Sequence, residues 1–132
     1  MVSYDVESIE DAFKKSPYNL SKDTKNLSEA ELKKIAEAVG NEIEQGFGRK
    51  ECALIYKKGR KLFVGYAKIR CSDEKRNVGK SNGYRCIVIV DKYNNCAFIL
   101  HVYTHSKCDD ITKAEKNALR KIVDEYYESI GK

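Results

Sequence analysis

Two cations spaced for one surface, and a third that opens the next strand, carry the first chemical signal in this chain. Lys68 and Arg70 lie two residues apart in a run rich in Val, Tyr, Ile and Phe, so on a β-strand both project from one face. Arg85 opens the next apolar run. A guanidinium offers two parallel donors to a phosphate or carboxylate, so a face bearing such groups suits a phosphate-rich ligand. The surroundings share the bias. Arg49 to Arg85 holds twelve Lys and Arg against Glu51, Asp73 and Glu74, whereas the first 46 residues carry no basic excess. The net charge of +5 points the same way, toward a polyanion. His105, in a polar stretch after a later strand-like run, adds an imidazole suited to proton transfer near neutral pH. His101, four residues earlier and mid-strand, reads as a structural residue.

Other constellations do not form. Gly79-Lys80-Ser81 has the end of a phosphate-binding loop, but no glycine stands where that motif needs one upstream, and a strand rather than a helix follows. His101 and His105 are four apart on an extended segment and have no acidic partner in the right place, so no zinc site is expected. The five cysteines (Cys52, Cys71, Cys86, Cys96, Cys108) contain no CxxC pair; they read as reduced, unligated thiols, two of them within apolar runs. No cofactor is expected.

The elements that must hold these residues follow from periodicity. Ser8 to Lys15 reads as a short helix ended by Pro17. Ser28 and Glu31 form a capping box before the stripe Leu32, Ile35, Ala36, Val39 and Ile43, which Gly46 stops. The period then changes. Ala53–Tyr56, Lys61–Ile69, Tyr84–Val90 and Cys96–Thr104 read as strands, with turns at Lys57–Arg60 and Lys92–Asn95 and an exposed loop over Ser72–Gly83. Thr112 and Glu115 cap a last helix whose apolar face is Ala114, Ala118, Leu119, Ile122, Val123 and Tyr126. The expected class is α+β: N-terminal helices, then a four-stranded, mainly antiparallel sheet and a C-terminal helix, with the helices packed on one side.

Three segments, in order, resemble one family. Gly79-Lys80-Ser81-Asn82-Gly83-Tyr84-Arg85 resembles the "GKSGG-aromatic/aliphatic-R" segment of RelE/HigB-type toxins of bacterial toxin–antitoxin pairs. Ala97 to Thr112 is similar to the family's "AFFVYGFAKSERDNIS", and Leu27 to Leu32 looks like its "LSDAEL" helix start. The resemblance implies a RelE-like fold and a ribosome-dependent mRNA endonuclease that needs no metal: it sets the 2′-hydroxyl of RNA on the neighbouring phosphate. By resemblance Arg85 is the phosphate-binding arginine, and Lys68 and Arg70 are the basic pair of the preceding strand, one of them a base. His105 stands where the family commonly has Lys. Arg76, Lys80, Ser81 and Lys107 would contact RNA. The chain departs from the pattern at Lys107 and Cys108, which replace the acid and arginine of "SER", and at Thr112, where some relatives carry a catalytic Tyr. The implied partners are mRNA on the ribosome, with 16S rRNA contacts, and a cognate acidic antitoxin. A gyrase inhibitor of the ParE kind and a catalytically silent binding protein share the fold and stay as alternatives.

Length and composition bound the rest. A chain of 132 residues, 42% hydrophobic and 34% charged, fits a single domain, with residues 1–26 read as a helical extension to it. The longest strongly apolar run, Cys86–Val90, is too short to span a bilayer, and the acidic N-terminal stretch lacks the pattern of a signal peptide. The expected compartment is the cytoplasm, with no membrane partner.

Overall fold

The computed structural model describes residues 5–8, 29–71, 83–104 and 113–132. It contains β1 (Asp5–Ser8), α1 (Glu29–Gln45), β2 (Cys52–Gly59), β3 (Phe63–Cys71), β4 (Tyr84–Asp91), β5 (Cys96–Thr104) and α2 (Lys113–Ser129). The strands form one five-stranded sheet in the order β1-β5-β4-β3-β2. β2 to β5 are an antiparallel meander, as expected, and β1 adds a parallel strand on the far edge, with Asp5 opposite Cys96. Sequence reading missed β1 because four residues of mixed polarity pairing with a segment some ninety positions away leave no local signature. The helix expected over Ser8–Lys15 gives way at its first residue, which closes β1; the rest lies outside the described residues.

The helices do not share a side of the sheet. Ile35, Val39 and Ile43 of α1 pack with Cys52, Ala67, Ile69, Cys86, Val88, Val90, Ala97, Ile99 and Val102 in one cluster. Leu119, Ile122 and Val123 of α2 pack with Val64, Tyr66, Ile87, Ile89 and Leu100 in a second. Alternate residues of the same strands feed the two clusters, so one helix covers each face. The cause is visible in β4, where Cys86 to Val90 are all fully buried. A strand with two apolar faces must be covered on both.

Turn chemistry sets the hairpins. The φ of +108° at Gly46 stops α1, and its amide donates to the Ile43 carbonyl at 3.1 Å. The first hairpin turns three residues later than expected: β2 continues to Gly59, whose φ is +113°, and Arg60–Leu62 make the bend. The second turn falls at Lys92–Asn95 as read, with Asn95 at a φ of 53°. Asp91 fastens it, accepting from the amides of Tyr93 (2.9 Å) and Asn94 (3.1 Å) and from Asn94 Nδ2 (2.8 Å).

Candidate functional site

Backbone register decides whether the predicted cations meet. In the β3–β4 ladder Arg70 stands directly opposite Arg85, and Lys68 opposite Ile87. Ile87 belongs to the cluster under α2, and Lys68 and Arg70 continue the alternation of Val64 and Tyr66, which also face α2. Directly opposed residues point to the same side of a sheet. Lys68, Arg70 and Arg85 therefore share the α2 face, at the end where β3 finishes and β4 begins.

Such a cluster works against folding. Like charges directly opposed on an antiparallel ladder destabilise it by roughly 0.2–1 kcal/mol. Arg85 is only 5% exposed, although arginines seldom lie so deep. The Nε of Arg70 is buried and has no hydrogen-bond partner among the described residues. An anion lying between the two guanidinium groups would relieve the repulsion and give the Arg70 Nε an acceptor.

A bulge adds a fourth polar residue. In the β4–β5 ladder Ile87 pairs with His101 but Val88 pairs with Ile99, so Leu100 is the extra residue. Strict alternation from Phe98 would send His101 to the α1 face. With the bulge, Leu100 packs in the α2 cluster, His101 stands opposite Ile87 on that same face, and Val102 returns to the α1 cluster. His101 is 8% exposed. The row Lys68–Ile87–His101 thus lies beside the row Arg70–Arg85, with Tyr103 at the position opposite Arg85. Sequence reading treated His101 as structural, since nothing in Phe98–Tyr103 announces a bulge.

The opposite end of the α2 face is neutralised. Tyr126 Oη donates to Asp91 at 2.7 Å and Tyr56 Oη to Asp124 Oδ1 at 2.7 Å. Burial, then the bond to Asp91, pushes the Tyr126 phenol far above its ordinary range. Arg120 lies 5.2 Å from the Tyr56 ring centroid, and Lys58 pairs with Asp124 at 3.4 Å.

The remaining predicted site residues, His105, Arg76, Lys80, Ser81 and Lys107, lie outside the described residues, as does Cys108. The other four cysteines are free thiols. Burial pushes the Cys52 thiol up to about 11, and a hydrogen bond with Cys71 followed by burial raises Cys86. These are poor nucleophiles and poor ligands. Among the described residues no group of three or more His, Cys, Asp or Glu is placed to hold a metal ion, and no helix is long and apolar enough to cross a membrane. No protein-family model, curated protein or solved structure matches the chain.

Proposed function

We propose that this protein is a metal-independent endoribonuclease, an mRNA-cleaving toxin that acts on the ribosome and is held in check by an acidic antitoxin. The observation that carries the reading is the pairing of Arg70 with Arg85, with Lys68 in the adjoining row of the same sheet face. Strand cleavage without a metal requires three things of a protein. It must draw the proton from a 2′-hydroxyl, stabilise added charge on a pentacoordinate phosphorus, and protonate the departing 5′-oxygen. Two opposed guanidinium groups supply donors to the non-bridging oxygens, where charge grows most. Lys68 is the group of this face placed to accept the proton of the 2′-hydroxyl. The basic stretch Arg49–Arg85 brings further cations toward a polyanion, so binding should weaken steeply with salt. The same charge favours fast capture by an acidic antitoxin.

Expression followed by transcriptome-wide mapping of mRNA 5′ ends tests the reading. Codon-phased cuts that vanish in Arg85→Ala support it. Growth arrest with DNA damage and intact mRNA would instead indicate a gyrase poison on a shared fold.

A further inference from the structure

We propose that His101 is the general acid of this site, the residue that hands a proton to the leaving 5′-oxygen; the inference rests on the nuclease reading above. Sequence resemblance left the acid unassigned, and the β5 bulge supplies it. Bulges re-aim side chains and concentrate beside active sites. Here one extra residue, Leu100, moves His101 from the α1 face to the face that carries Lys68, Arg70 and Arg85.

Placement argues for an acid rather than a second phosphate ligand. Attack by the 2′-oxygen and departure of the 5′-oxygen occur on opposite sides of phosphorus, so base and acid must flank it. Lys68 on β3 and His101 on β5 are both in register with Ile87 of β4. Their backbones are two strand spacings apart, roughly 10 Å. Arg85 lies two residues along β4 from Ile87, on the same face and between the two flanking groups. A phosphate held by Arg85 over β4 has Lys68 on the β3 side and His101 on the β5 side, and Arg70 reaches it from the next same-face position of β3. The O2′–P bond forms as the P–O5′ bond breaks. The 2′-hydroxyl proton goes to Lys68, and the imidazolium proton of His101 goes to O5′. The products are a 2′,3′-cyclic phosphate and a 5′-hydroxyl, with no net change in protons. Among the described residues, the charged groups at this end of the face are Lys68 and Arg70 of β3 and Arg85 of β4, with Glu115 in the first turn of α2; Asp91, Asp124, Lys58 and Arg120 lie at the far end. The bound phosphodiester places a negative charge beside the imidazole and between the two guanidinium groups.

A leaving-group substitution tests the assignment. The substrates are two RNAs identical except that one carries sulfur in place of the bridging 5′-oxygen; a thiolate departs without a proton. His101→Gln should slow cleavage of the oxygen substrate about 10²- to 10⁴-fold with RNA affinity unchanged. It should cleave the sulfur substrate at the wild-type rate. Equal rates for variant and wild type on oxygen, or a variant equally slow on both substrates, overturn the assignment. So does the same pattern in His105→Gln, the only other histidine of the chain, with His101→Gln unaffected. Should His101→Gln not fold, wild type decides alone. Its rate on oxygen must fall at alkaline pH while its rate on sulfur does not, and parallel pH profiles refute the acid. Wild type that cuts neither substrate refutes the nuclease reading itself and His101's role with it.

Discussion

The two faces of the sheet teach different lessons. Under α1 the packing is apolar except for one compensated ion pair, the buried Glu42 with Arg49 at 3.1 Å: Ile35, Val39 and Ile43 meet Ala67, Ile69, Cys86, Val88 and Val90, and the buried thiols there act as small apolar groups. Under α2 the face changes along its length. Its middle is apolar through Tyr66, Ile87, Ile89 and Leu119. One end is closed by tyrosines bonded to Asp91 and Asp124. The other end gathers Lys68, Arg70, Arg85 and His101. A face built only for stability would resemble the first. The second spends stability on like charges, which is how a binding site differs from a core.

The largest expected effect tests the hinge between these zones. Leu119 is fully buried and joins α2 to the middle of the sheet. Leu119→Ala should lower unfolding free energy by about 2–5 kcal/mol in urea titration. A loss well under that range would mean that α2 is not fastened to this face.

The carboxylate-closed end comes next. Tyr126→Phe removes a donor to the buried Asp91 and should cost about 1.5–3 kcal/mol at neutral pH. The sign with pH is fixed by the direction of the shift. Tyr126 holds its proton more tightly folded than unfolded, so its contribution is complete below the ordinary phenol value of 10.0 and is eroded as pH rises above it. Cys52 behaves likewise from 9.0 upward, to about 11. Wild type should therefore lose stability across this alkaline range, and Tyr126→Phe should lose less of it above pH 10. Matching slopes would contradict the hydrogen bond.

The smallest effect has the opposite sign. Arg70→Gln relieves the repulsion across from Arg85 and should raise stability by roughly 0.2–1 kcal/mol while weakening RNA binding. A destabilised Arg70→Gln would place these arginines among the supports of the fold and dissolve the contrast between the two ends.

Much of this architecture could be read in the residues. The 3.6-residue stripe of α1, the four meander strands, the Lys92–Asn95 turn and α2 all carry strong local periodicity. The two-sided cover was also legible in principle, since Cys86–Val90 is an unbroken apolar run where a half-exposed strand would alternate. What could not be read depends on distant pairing. β1 is defined by a partner near the other end of the chain, and the register of Arg70 with Arg85 cannot follow from a connection as long as Ser72–Gly83. Spacing alone put Lys68 and Arg70 on one face; only the ladder brought Arg85 to it. His101 escaped because a bulge inverts the alternation from which sides are inferred.

The most direct test of the central claim is cleavage by purified protein of mRNA on programmed ribosomes in excess EDTA, with the product ends analysed chemically. Wild type should leave 2′,3′-cyclic phosphate and 5′-hydroxyl ends, and Arg85→Ala should be slower by about 10²–10³-fold. Intact mRNA from wild type, or undiminished cutting by Arg85→Ala, would contradict the account.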